Sequence, residues 1–423
     1  MRAIDIVRRL CAPCLQQVHA TRFKAVMRGL EAMLLAQRLS VTSVGRAVRG
    51  KHLARHGIKM MDRLVGNPRL FRERRIWFGE LARILIGAQR RVVVLVDWTQ
   101  LHGDAWALVA AVPYLGRAVP VFSESHDKSR GGMTSVEEEF LKTLRTLLPP
   151  HCQPVIVADG GFRSPFIRAC QNLGLEFVIR LRNEQGVALF GADERRTFTA
   201  LFDSAADSDQ CLGEARPYAT SSEVGTWRLV LSRRPRQAAN RRRYVDDYER
   251  RRACEPWLLA TNLQNDAATT VVAVYAKRMQ IEEYFRDTKN SRFGWCLEHA
   301  RASSKQRYDV LLLLAALAFT AVVLVGAAAE AEKLEKRFRA SSLKQRVLSV
   351  FTLGSLVLRS RELARLRLAT VWKEMKRLRF LNRDLFPKLR APRSENRNVS
   401  LPLPHDLFCV DCGWNGSRFG WPP

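Results

Sequence analysis

Acidic residues are scarce in this chain. Against 70 lysines and arginines stand 41 aspartates and glutamates, a net charge of +29 over 423 residues, so a polyanion is the natural partner. The basic residues are spread over the whole length and alternate with core-like segments, which favours nucleic acid over a membrane surface. Cysteine is also sparse and unevenly placed, which fits a reducing compartment, and the opening residues lack a long apolar run ending in small residues. A cytoplasmic location without a secretory leader is therefore expected. Two Cys-x-x-Cys pairs, Cys11/Cys14 and Cys409/Cys412, lie at opposite ends with no second local pair, so zinc is not expected. Long apolar runs are lacking except for Val310–Ala329, which is apolar apart from Thr320 and long enough to cross a bilayer. Its flanks are basic, no second run resembles it, and its alanines and Gly326 suit a helix packed on every side. A buried helix is expected, and no membrane partner.

What is present falls into blocks. Up to about Phe78 the apolar positions recur at helical spacing with no strand alternation. Within that region Ser40–Gly50 and His56–Val65 read as two short helices joined by a tight link, the helix-turn-helix pattern. Eleven basic residues lie between Arg38 and Arg75 against only Asp62 and Glu73, a density that phosphates would relieve. Then comes Arg91–Asp97, a β-branched run ending on a carboxylate, followed by candidate strands at Trp106–Val112 and Ala118–Phe122. A helix over Ser135–Leu148 leads to a second buried strand, Pro154–Asp159, that also ends on aspartate. Gly160-Gly161 allow a sharp turn beside that acid, Phe162–Leu173 reads as a helix, and Glu176–Leu181 as a fifth strand.

Three strands, helix, strand, helix, strand is the order of the ribonuclease-H-like α/β fold, a mixed five-stranded sheet with helices. In that layout the ends of the first and fourth strands are neighbours, so Asp97 and Asp159 are expected to face each other. Residues 183–254 read as a β-rich insertion carrying the basic runs Arg233–Arg236, Arg241–Arg243 and Arg250–Arg252, and Glu255–Asn262 as a returning strand. Residues 1–85 then form a helical DNA-binding domain, 86–182 and 255–330 the two parts of the catalytic core, 331–390 a basic helical region for DNA contact or dimerisation, and 391–423 a poorly ordered tail.

The stretch Tyr275–Lys289 completes the set. On a single helix, Tyr275, Arg278, Glu282 and Lys289 fall within an arc of roughly 60°; Glu283 sits about 100° around from Glu282 and points elsewhere. Three carboxylates, Asp97, Asp159 and Glu282, converging from two strand ends and a helix can hold two divalent cations. Magnesium suits such oxygen donors, with manganese as a substitute. Two ions about 3.5–4 Å apart would activate a water or 3′-hydroxyl and stabilise the leaving oxygen, while Arg278 and Lys289 hold the flanking phosphates.

The positions Tyr275, Arg278, Glu282 and Lys289, at spacings of two, three and six intervening residues, resemble the Y-R-E-K signature of bacterial insertion-sequence transposases of the DDE class. Leu95–Trp98, Val157–Phe162, Glu255–Leu263 and Gly57–Asn67 resemble further segments of that family, over roughly residues 25 to 330. The resemblance implies a metal-binding catalytic triad of Asp97, Asp159 and Glu282, with Tyr275, Arg278 and Lys289 on the transposon end. It implies that Trp257 stacks on a base flipped out as a DNA hairpin forms, although Trp257 reads equally well as a core residue. The implied reaction is nicking, hairpin formation, hairpin opening and strand transfer into target DNA, by a homodimer pairing two double-stranded ends at terminal inverted repeats. The alternatives are a nuclease or resolvase of the same fold, and a catalytically inactive DNA-binding regulator.

Overall fold

The computed structural model describes residues 3–50, 53–182, 187–189, 195–203, 208–217, 226–233, 256–292, 294–340, 346–378 and 386. Met1–Phe386 forms one compact unit, and Pro387–Pro423 falls in a second that lies outside the described residues. The expected tail, Cys409/Cys412, and all but the first residue of the basic runs from Arg233 to Arg252 lie outside them too.

Five helices open the chain: α1 (Ala3–Cys11), α2 (Ala20–Ala36), α3 (Val41–Arg46), α4 (Ala54–Val65) and α5 (Pro68–Ile86). Their ends follow from local chemistry. The Ser40 hydroxyl accepts from the Ser43 N–H to cap α3, and the Asn67 side chain accepts from the Arg69 and Leu70 N–H groups, with Pro68 pre-set for the first turn of α5. A Cβ on Gly57 would run into the Gly45 carbonyl, so glycine at both positions lets α3 and α4 touch backbone to backbone. Several bases in this region are already paired: Arg74 reaches Glu124 (3.2 Å) and Asp309 (3.7 Å), and Arg38 donates to the Ser291 carbonyl. The positive charge here is therefore not wholly available to phosphates. Cys11 and Cys14 are free and buried, and burial pushes the Cys14 thiol up to about 12.

The sheet starts with β1 (Arg91–Gln100), β2 (Ala105–Tyr114) and β3 (Arg117–Asp127), a meander in which each strand pairs antiparallel with the next. After α6 (Thr134–Leu147), β4 (Gln153–Ala158) lies parallel to β1, and after α7 (Ser164–Asn172), β5 (Glu176–Leu181) lies parallel to β4. Beyond α8 (Phe198–Asp203) the order across the sheet, including β6 (Val187–Leu189), β7 (Arg195–Arg196), β8 (Gln210–Pro217), β9 (Trp227–Ser232) and β10 (Trp257–Thr261), is β3-β2-β1-β4-β5-β10-β9-β8-β6-β7. The first five strands follow one another along the chain as expected, with β1 beside β4, but the sheet does not end there. β10 pairs antiparallel with both β5 and β9, so the described strands of the 183–254 insertion extend the same sheet to ten strands. An unpartnered β5 would leave a row of unmet N–H and C=O groups, and β10 supplies their partners.

Helix α9 (Ala268–Ala276) is followed by α10 (Met279–Lys289), α11 (Lys305–Ala331), α12 (Val350–Arg359) and α13 (Leu368–Leu378). Helix α11 contains the apolar run of the sequence, and its most apolar window, long enough to span a membrane, is wholly buried inside the protein. It packs on β3, α2, α5, α12 and α13. Its one buried acid, Asp309, accepts from the Ser125 N–H (2.6 Å) and hydroxyl (2.7 Å), so the charge is not left unmet.

Candidate active site

The register of β1 on β4 sets two carboxylates side by side. Leu95 pairs with Val157 across the parallel ladder, and side chains alternate with period two, so Asp97, still within β1, and Asp159, just past β4, stand two residues later at one level and on one face. Each is oriented locally. The Trp98 N–H donates to Asp97 Oδ1 at 2.9 Å, and the Gly161 N–H donates to Asp159 Oδ1 at 2.7 Å. Gly160 and Gly161 form the turn expected beside Asp159, without a positive φ at either. Their lack of a side chain matters for a different reason. A Cβ on Gly160 would meet the Arg182 stem, and one on Gly161 would press on Asp159 Oδ1 at 3.0 Å.

The third carboxylate comes from a helix that is not the continuous one expected. The helix breaks after Ala276 and a new one starts at Met279. Across the joint the N–H groups of Arg278, Gln280 and Ile281 donate to the carbonyls of Tyr275, Lys277 and Arg278, three residues back instead of four. Such tightening advances each residue by about 120° in place of about 100° and aligns side chains three apart, so the single arc of one continuous helix is not kept across the joint, and Tyr275 is buried. It turns into the core, where its ring packs edge-on against Trp257 with centroids 4.8 Å apart. Both rings are buried, at 4% and 7% exposure, and burial raises the Tyr275 phenol above its ordinary range.

The remaining positions converge. Arg278 Nη2 donates to Asp97 Oδ2 (3.1 Å) and Asp159 Oδ2 (3.2 Å), and Nη1 donates to Glu282 Oε1 (2.6 Å). One guanidinium thus touches all three acids. Burial alone would lower its pKa, but Asp97, Asp159, Tyr275 and Glu282 outweigh that and raise it. Asp97 is pushed up to about 7, chiefly by burial and further by Asp159 and Glu282, with Arg278 pulling the other way. Lys289, at the end of α10, reaches farther along β1, where its Nζ donates to Thr99 Oγ1 at 3.2 Å, and burial lowers its pKa. Glu283 points away to Arg117 (3.4 Å) and Arg286 (2.7 Å).

Three neighbours escaped the sequence reading. Arg182, one residue past β5, places Nη1 3.9 Å from Asp159 Oδ2; its signal was a base at the end of the strand beside β4. Glu137 on α6 accepts from Trp98 Nε1 at 2.9 Å and is buried, which pushes its carboxyl to about 7. Nothing in the sequence pairs Glu137 with Trp98. Thr99 was hidden by ending the strand at Asp97.

An all-carboxylate donor set suits a hard divalent cation, and the Arg278 guanidinium occupies their meeting point as a positive stand-in. With that side chain in place, no three His, Cys, Asp or Glu among the described residues are spaced to close on a metal ion. The donors fit a metal; their present spacing fits an arginine.

Residues 132–320 match the family model of the transposase DDE domain. That span includes Asp159, Arg278 and Glu282 and begins after Asp97. Among solved structures, the chain is similar to the cryo-EM structure of a piggyBac transposase synaptic complex with hairpin DNA, at 11% identity and a TM-score of 0.38, over 93% of this chain and 83% of that one. No curated protein matches.

Proposed function

We propose that this protein is a DDE transposase that cuts and joins double-stranded DNA at the ends of an insertion sequence. The observation that carries this reading is the convergence of Asp97, Asp159 and Glu282 on one point, two of them within the stretch that matches the transposase DDE domain. The strand order β3-β2-β1-β4-β5, with β1, β4 and β5 parallel, supports a ribonuclease-H-like core beneath the site.

In this mechanism Asp97, Asp159 and Glu282 would hold two magnesium ions, with manganese as a substitute. When bound, the ions supply an activated water or 3′-hydroxyl and stabilise the leaving oxygen. The protein's own residues orient and position. Trp98 and Gly161 fix the two aspartates by their backbone N–H groups. Arg278, Lys289 and Arg182 ring the acids with positive charge where a phosphodiester would lie. Hairpin formation, pairing of two ends by a homodimer and capture of target DNA follow from the Y-R-E-K resemblance, with the bacterial cytoplasm as the setting. Stacking of a flipped base on Trp257 requires that ring to leave Tyr275.

The test is incubation of the full chain with duplexes carrying the inverted repeats that flank its coding region, with and without magnesium, followed by denaturing gels. Metal-dependent nicks at the repeat ends, with a hairpin product, are expected. Cleavage without hairpin would remove the hairpin step, and absence of any metal-dependent cleavage would remove the reading.

A further inference from the structure

The contact between Arg278 and the three acids is a device in its own right. Arginine carries its charge at every working pH, so this guanidinium cannot be neutralised out of the site; it can only move. While it stays, it occupies the point toward which Asp97, Asp159 and Glu282 direct their oxygens, with side-chain exposures of 14%, 21% and 39%. Were it simply withdrawn, Asp97 and Glu282 would lose the base that pairs them and Asp159 would keep only Arg182 at 3.9 Å, an unfavourable crowding of like charge in a partly buried site. Withdrawal therefore requires another cation to arrive, and it requires a new anionic partner for Arg278.

We propose that Arg278 is an internal counter-ion that keeps the triad closed to metal until a DNA phosphate draws it off, coupling metal binding to DNA binding. This rests on the transposase reading for the identity of the two ligands. The backbone supports such a movement. Arg278 sits in the joint between α9 and α10, outside both helices, beside Met279, which is exposed. Glu282, the most open of the acids, can rotate without disturbing the sheet, whereas Asp97 and Asp159 are fixed by backbone N–H groups. Two further bases, Lys289 beside Thr99 and Arg182 beside Asp159, are near enough to receive the adjoining phosphates. Because coupling is reciprocal, metal must tighten DNA by the same factor by which DNA tightens metal.

The experiment measures Mn2+ affinity of the full chain by calorimetry, for the parent, Arg278→Gln and the double variant Asp97→Asn/Asp159→Asn. Each is measured with and without a short duplex of arbitrary sequence. The parent alone should bind Mn2+ about tenfold or more weakly than Arg278→Gln; adding duplex should remove most of that gap in the parent and leave Arg278→Gln nearly unchanged. Equal affinities for the parent and Arg278→Gln, with binding lost in the double variant, overturn the counter-ion role and leave the metal-site reading standing. Binding that survives unchanged in the double variant overturns both. A second measurement needs no substitution: duplex affinity of the parent by fluorescence anisotropy, with and without Ca2+. Tightening by a comparable factor is expected, and an unchanged affinity overturns the coupling whatever the fate of Arg278→Gln.

Discussion

Glu137 shows how much a single buried carboxyl can impose on its surroundings. It accepts from the Trp98 indole, and the backbone of Trp98 in turn holds Asp97. Burial pushes Glu137 from an ordinary value of 4.5 to about 7, so the folded protein holds that proton more tightly than the unfolded chain does. Its stabilising contribution is therefore present below about pH 4.5 and lost as pH rises through 7. Asp97, Asp287 and Asp309 are raised in the same direction, to about 7, 6 and 6, chiefly by burial. Glu137→Gln, neutral throughout, should flatten the fall in urea stability across this window, by on the order of 3 kcal/mol at most. A pH profile parallel to the parent's would show that Glu137 is ionised in the folded state. The acids of the site were legible in the sequence because each ends a β-branched run or repeats along a helix. Their partners were not, since a side chain such as Glu137 or Arg182 reaches its position only through tertiary packing.

At the scale of elements, glycine decides how closely helices approach. A Cβ on Gly354 of α12 would run into the Val322 carbonyl of α11, while one on Gly79 of α5 meets nothing closer than 3.8 Å. Both lie inside helices, where alanine is intrinsically better by roughly 1 kcal/mol. Gly79→Ala should thus raise the melting temperature slightly, whereas Gly354→Ala should cost about 1–3 kcal/mol from overpacking. Circular dichroism melts of the two variants read this directly, and equal shifts would argue against the close crossing. The strands and helices of the core were readable from alternation, β-branching and caps, and their observed bounds differ from expectation by only a few residues at most ends. The joint between α9 and α10 was not readable. A switch from four-residue to three-residue hydrogen bonding leaves no mark in a sequence that stays helix-compatible throughout, yet it breaks the single helical arc expected for Tyr275, Arg278, Glu282 and Lys289.

For the whole molecule, the longest apolar helix is buried although the chain is strongly basic. Helix α11 sits at the centre of the helical part, covered by the sheet edge and by helices from both ends of the chain. Its burial was foreseeable from basic flanks and small residues. The extension of the sheet to ten strands was not, because β5, β10 and β9 meet across long separations that local patterning does not encode. The net charge of +29 predicts that duplex affinity falls steeply between 50 and 200 mM salt, by at least about a hundredfold; a shallow slope would mean that the charge is consumed in internal pairs. The most direct test of the central claim is magnesium-dependent cleavage of a duplex bearing the flanking inverted repeats, comparing the parent with Asp97→Ala, Asp159→Ala and Glu282→Ala. The parent should cut at the repeat ends and all three variants should fall to background while retaining duplex binding. Cutting by any one of them at the parent's rate would contradict the triad.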